Sequence, residues 1–145
     1  MTSEELQLLI KTLFKIQFFS AFSSGEIDML LEKFHKFACS KGKIIIRENQ
    51  PGEAFYVIYK GAVAVLKKLS FFKKKTVAAL SAGDYFGEIA LISDEPTSAT
   101  VKAVEESVLF VLFRKDFQEI LRQNPKLTSV IRSVADGRKL ENKLR

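Results

Sequence analysis

Between Gly83 and Val101 the chain gathers the residues whose types and spacing could do chemistry. Gly83-Asp84 is a turn pair, and Phe86-Gly87-Glu88-Ile89-Ala90-Leu91 sets one glycine and one carboxylate among apolar side chains. Ser93-Asp94-Glu95-Pro96-Thr97-Ser98 follows as an acidic loop, and Ala99-Thr100-Val101-Lys102-Ala103-Val104 then alternates like a strand. Gly87 suits a backbone that must bend sharply or lie where a Cβ would not fit. Glu88 has Phe86 and Ile89 for neighbours, so its carboxylate needs a partner if it is buried. Glu88 to Leu91 is enough for one helical turn, whose opening N–H groups would point toward an anion. Thr97 and Ser98 could donate hydroxyls to an oxyanion. The same residues also admit a purely structural account. In that account Glu88 ties up amides of a tight turn, Gly87 and Ala90 are conformational, and Thr97 is a loop residue facing solvent. Read alone, the stretch is a cradle for a small molecule.

It resembles the phosphate-binding cassette of cyclic nucleotide-binding domains. The usual form of that cassette is Phe-Gly-Glu, an aliphatic residue, Ala-Leu, a short loop, and then Pro-Arg-Ser/Ala-Ala-Thr-Val. Phe86, Gly87, Glu88, Ile89, Ala90 and Leu91 match, as do Pro96, Ser98, Ala99, Thr100 and Val101, without a gap. The resemblance implies that Glu88 accepts a hydrogen bond from a ribose 2′-hydroxyl and that amides of the turn contact the cyclic phosphate. It also implies cyclic AMP, cyclic GMP or another small anion as ligand, with no other cofactor. One position departs, because Thr97 stands where the cassette carries its phosphate-pairing arginine. An arginine fork meets two phosphate oxygens at once and stays charged. Losing a hydrogen bond to a charged group costs about 1.5–3 kcal/mol, or roughly 10- to 100-fold in affinity. Asp94 and Glu95 in the same loop would repel a phosphate. The fold is therefore expected, and ordinary cyclic AMP or cyclic GMP binding is not assured.

The elements that must position the cassette begin with two helices. Thr2-Ser3-Glu4-Glu5 has capping-box spacing, followed by Leu6, Leu9, Ile10 and Leu13, which predicts a helix over 3–15. Phe14, Phe18, Phe19 and Phe22 make an apolar connection, and Ser23 with Glu26 repeats the cap before Ile27, Leu30, Leu31 and Phe34, so that helices fill about 3–37. From Lys41 the period changes. Short strands are expected at Ile44–Ile46, Ala54–Tyr59, Ala62–Leu66, Thr76–Leu80, Val101–Val104 and Ser107–Phe113, with glycine punctuation at Gly42, Gly52 and Gly61. Many short strands in sequence indicate a sandwich or barrel, not alternating β-α units. Arg114 to Arg122 returns to helical spacing, and Asn124-Pro125 reads as an N-cap and first position for a last helix with Leu127, Val130, Ile131 and Val134 on one face. Gly137 and Glu141 weaken that helix, so fraying toward Arg145 is expected. The phenylalanine-serine junction at Phe22-Ser23 and the strand-glycine-strand unit Phe55–Val65 extend the resemblance to roughly residues 12–137. It implies an α+β, mainly β chain: an eight-stranded β-roll over about 41–113, flanked by N- and C-terminal helices over about 3–37 and 114–140. It also implies a regulatory sensor whose last helices move on ligand binding and relay the change to an effector domain or protein partner. A permanently packed helix would look the same in sequence.

Composition is that of one globular domain: 145 residues, 47% apolar and 28% charged. A single cysteine, Cys39, excludes an internal disulfide and suits a reducing cytoplasm. The start, Met1-Thr2-Ser3-Glu4-Glu5, is not a secretory leader, and no apolar run is long enough to span a bilayer. The net charge of +6 is unevenly spread, with Lys67, Lys68, Lys73, Lys74 and Lys75 inside nine residues and a second group near the end. The lysine group flanks Leu69-Ser70-Phe71-Phe72, a hairpin tip that should be polar. Two phenylalanines among five lysines fit an anionic membrane surface or an acidic protein, unless the hairpin folds back and buries its rings. Such a surface offers the second reading, a β-roll that serves as a protein- or membrane-interaction module without nucleotide. Nucleic acid is not expected, since no recognition helix follows the domain. The lone His35, placed on the second helix, reads as structural. No nucleophile motif, phosphate loop or metal-ligand set suggests an enzyme.

Overall fold

The computed structural model describes residues 1–144, with side chains as far as residue 137. Both N-terminal capping boxes form. The Glu5 N–H donates to Thr2 Oγ1 (3.1 Å) and the Thr2 N–H to Glu5 Oε1 (2.9 Å), starting helix α1 (Ser3–Leu13). Ser23 and Glu26 exchange the same pair of bonds at the start of α2 (Ser24–Lys33). A short 3-10 turn, Gln17–Ala21, joins the two helices and buries Phe18 and Phe19. Phe14, expected in that apolar link, is instead exposed to solvent.

The second helix is shorter than expected. Phe34 turns extended (φ −71°, ψ 136°), and His35–Cys39 forms an edge strand, β1. His35 therefore sits on a strand, its ring 5.6 Å from that of Phe113. The remaining strands are β2 (Ile44–Ile46), β3 (Ala54–Lys60), β4 (Ala62–Ser70), β5 (Lys73–Ser81), β6 (Tyr85–Phe86), β7 (Thr100–Ala103) and β8 (Ser107–Phe113). Among the described residues they form two four-stranded antiparallel sheets, ordered β1-β8-β3-β6 and β2-β7-β4-β5, the expected jelly-roll. The β4–β5 hairpin pairs farther out than its lysines suggested. Lys67 faces Lys75, Lys68 faces Lys74 and Ser70 faces Lys73, so only Phe71-Phe72 is left to turn.

Strands β3 and β8 divide their side chains between two cores, as the period of two requires. Phe55, Val57, Phe110 and Leu112 face a helical side, where they meet Leu9, Leu13, Phe18, Phe19, Leu30, Phe117, Ile120 and Ile131. Phe19 and Phe117 meet edge to face at 5.9 Å, and Phe22 stacks on Phe117 at 6.0 Å. Ala54, Ile58, Leu109 and Val111 face the interior of the roll with Val63, Phe86 and Val101. Covering both faces explains why β3 reads as a nearly unbroken apolar run.

Helix α3 (Arg114–Arg122) spans the expected residues, and α4 (Pro125–Leu144) follows. Asn124 does not use its side chain as the N-cap of α4. Its Nδ2 donates back to the Ile120 carbonyl (2.9 Å), closing the end of α3. In α4, Leu127, Ile131 and Ala135 are buried, while Val130 is exposed. The fraying expected toward Arg145 lies outside the described residues. Glu5 ties the helices to the sheet through Lys36 Nζ of β1 at 2.9 Å. The Thr2 backbone N–H, and next the Lys36 ammonium, hold the Glu5 carboxyl down at about 2.

A cavity at the cassette as candidate functional site

The cassette forms one wall of a cavity of about 790 Å³ at the end of the roll. Gly87 creates the bend that makes this wall. Its φ is +80°, and a Cβ there would lie 2.8 Å from the Ala54 carbonyl oxygen. The chain passes through it from β6 into the expected turn, a 3-10 helix over Glu88–Leu91. Gly52 lies against that turn, since a Cβ on it would come within 2.8 Å of the Ala90 Cβ. Phe86 is buried and stacks on Tyr56 with ring centres 4.9 Å apart.

The expected site residues Phe86, Gly87, Glu88, Ile89, Ala90, Thr97, Ser98 and Ala99 all line this cavity. Ala90 and Ala99 are buried, whereas Ser98 is exposed. Glu88 is half-buried, and its carboxylate has no hydrogen bond or ion pair to another described residue. The alternative of a carboxylate tying up turn amides therefore does not hold here. Asp94 does not line the cavity. It pairs with Arg114 Nη2, while Arg114 Nη1 donates to the Ser93 carbonyl at 2.9 Å.

Thr97 neither faces open solvent nor holds its hydroxyl ready for an oxyanion. Its Oγ1 donates to the Arg47 carbonyl (2.5 Å) and accepts from the Gln50 N–H (3.0 Å). Its backbone N–H donates to the Gln50 carbonyl, and its carbonyl accepts from the Asn49 N–H, each at 2.8 Å. Thr100 adds a fifth fastening by accepting from the Glu48 N–H at 3.0 Å. The cassette and the segment 47–50 are thus zipped together where the cassette pattern would put a phosphate ligand.

Several lining residues were not found in the sequence: Arg47, Glu53, Tyr56 and, from α4, Ala135. They come from separate elements and share no local spacing. Arg47 is the one cation lining the cavity among the described residues, against the carboxylates of Glu53, Glu88 and Glu95. Burial, and then the nearby Glu53 charge, push the Tyr56 phenol above its usual range. Burial likewise raises the Cys39 thiol, followed by Glu106. The other expected residues, Lys67, Lys68, Phe71, Phe72, Lys73, Lys74 and Lys75, are absent from the cavity lining and occupy the distal end of the β4–β5 hairpin.

Residues 36–124 match the family model described as cyclic nucleotide-binding domain. The chain is 31% identical over 107 residues to the cyclic AMP receptor protein of Thermus thermophilus, covering 74% of this chain and 50% of that one. It is 35% identical over 106 residues to the cAMP-dependent protein kinase regulatory subunit of Debaryomyces hansenii, covering 73% and 23% respectively. The chain therefore spans half or less of the length of these relatives. Its fold superposes on the regulatory domain of Toxoplasma gondii PKA, solved with cAMP, with a TM-score of 0.72 and 25% identity over 83% of this chain and 46% of that one. Those relatives are a receptor and a regulatory subunit by name, and no described helix is long and apolar enough to cross a membrane. Read together with the two-sheet roll and the bend at Gly87, the matched span makes this chain a member of the cyclic nucleotide-binding domain family.

Proposed function

We propose that this chain is the sensor domain of a regulatory protein, and that its cavity takes a cyclic nucleotide whose ribose is held by Glu88. The observation that carries this reading is the Glu88 carboxylate, half-buried on the cavity wall with no partner among the described residues. Leaving such a group without a donor is costly, and a ribose hydroxyl supplies one. Arg47 is the cation available to the phosphate, on an exposed segment in place of a cassette arginine. Affinity is correspondingly modest. Ala135 of α4 lines the same cavity, so ligand occupancy bears on the C-terminal helices and on any effector domain or partner they contact. The role is regulatory and non-catalytic. Its compartment on this reading is the cytoplasm, where a lone thiol such as Cys39 stays reduced.

Titration calorimetry with cyclic AMP and cyclic GMP tests the proposal. Submillimolar binding is expected for at least one, and Glu88→Ala should weaken it by roughly 10- to 100-fold. Thr97→Arg should tighten binding, by less than a free fork would give, because the threonine's two hydrogen bonds to segment 47–50 are lost with it. A second reading has its own observation. Three carboxylates against one cation disfavour a phosphate, and a roll without nucleotide would serve as an interaction module. Absence of heat with both nucleotides, in wild type and in Thr97→Arg, would establish that reading and end the first.

A further inference from the structure

The β4–β5 hairpin is built unlike the rest of the roll. Every residue from 67 to 77 is exposed, so both strands run past the sheet into solvent, the first by about 13 Å at 3.3–3.4 Å per residue. At the end stand Phe71, 82% exposed, and Phe72, 92% exposed, with Leu69 at 64% beside them. The two rings meet edge to face at 5.2 Å, and Lys68 Nζ sits 5.0 Å from the centre of the Phe71 ring. The alternative of a hairpin folded back over buried rings is not met.

The charges argue in the same direction. Lys67 lies directly opposite Lys75, and Lys68 directly opposite Lys74. Like charges in facing positions destabilise a strand pair; residues 67–75 contain no acidic side chain, and the Glu48 carboxylate, which accepts from the Lys68 backbone N–H at 2.9 Å, is one negative charge against five lysines. The arrangement costs the isolated protein twice, in cross-strand repulsion and in exposed rings. Both costs are removed by a surface that is anionic and has an apolar layer just beneath it.

We propose that the hairpin tip docks on an anionic lipid bilayer, with Phe71, Phe72 and Leu69 entering the interface and Lys67, Lys68, Lys73, Lys74 and Lys75 meeting the headgroups. Aromatic rings at the tip and lysines just behind them follow the order of depths in a bilayer, acyl boundary below headgroups. An acidic protein would use the charge but has no general need for two rings at the apex. This docking is independent of the cavity and holds with or without nucleotide.

The test is co-sedimentation of the full chain with phosphatidylcholine vesicles, with and without phosphatidylserine. Binding is expected only to the anionic vesicles and should weaken as salt is raised. Phe71→Ser with Phe72→Ser should reduce it on the order of 10-fold or more, and Lys74→Gln with Lys75→Gln by roughly 5-fold per charge. All four positions are exposed, so thermal melts of these variants should match the parent. The chain has no tryptophan, so Phe72→Trp adds a single indole, excited apart from the tyrosines, whose emission should shift to the blue on anionic vesicles. Three outcomes would overturn the proposal: no sedimentation with anionic vesicles, equal sedimentation with neutral ones, or Phe72→Trp emission that stays at its aqueous position. Silence with vesicles, together with capture by polyglutamate that depends on the same lysines, would replace the bilayer with an acidic protein.

Discussion

The two cores that share strands β3 and β8 are filled differently. On the helical side Phe55 and Phe110 meet Phe18, Phe19, Phe22 and Phe117, and rings close the space. On the roll side the same strands present Ala54, Ile58, Leu109 and Val111, opposite them stand Val63 and Val101, and Phe86 is the one buried ring of this cluster, stacked on Tyr56. The cavity opens beside Ala54, Val65 and Val101, with Tyr56 and Phe86 also on its lining. One pair of strands thus closes a core on one face and borders the cavity on the other. The division implies that substitutions on the two faces should separate folding from binding.

The largest effect should come from Phe117→Ala. The ring is fully buried between Phe18, Phe19 and Phe22, and its removal should cost about 3–5 kcal/mol in urea unfolding. A loss below about 1 kcal/mol, the typical size for an average position, would break the comparison at its stable side. Next comes Gly87→Ala. Strain from a Cβ at φ +80° against the Ala54 carbonyl oxygen should cost about 1–3 kcal/mol, and any nucleotide affinity should fall with it. Unchanged binding after that substitution would mean the bend does not shape the cavity. The smallest effect concerns acid. Glu5 has its carboxyl lowered from 4.5 to about 2 by the fold. Its stabilising contribution is therefore fully present above 4.5 and is lost as the pH falls toward 2. Unfolding followed between those values should show this dependence reduced in Glu5→Gln, with cavity binding at neutral pH unchanged. A variant whose acid profile overlays the parent would remove Glu5 from the account of how α1 is held.

What the sequence disclosed was local. Both capping boxes, α3 from end to end and the one-turn helix after Gly87 depend on neighbours within a few positions, and each forms as expected. What it concealed was set by partners far along the chain. β1 reads as the tail of a helix until β8 arrives to pair with it, and β6 is two residues long. Asn124 carries the signature of a cap, yet the free Ile120 carbonyl competes for its amide and wins. At the site, the cassette side of the cavity was legible because its residues are contiguous. Arg47, Glu53, Tyr56 and Ala135 were not, since only the crossing of the two sheets and the return of α4 bring them to one place. Thr97 shows in the sequence as a missing cation. Its positive role, fastening segment 47–50, depends on a loop some fifty residues away.

Ala135 gives α4 two allegiances, to the core through Leu127 and Ile131 below it and to the rim of the cavity. A wall that belongs to a helix makes linkage reciprocal. Whatever grips α4 from outside and alters how it rests on that rim must change a guest's affinity by the same factor by which the guest changes the grip. An attached effector would then be more than a listener, because its own hold on the helix would set the concentration at which the signal is heard.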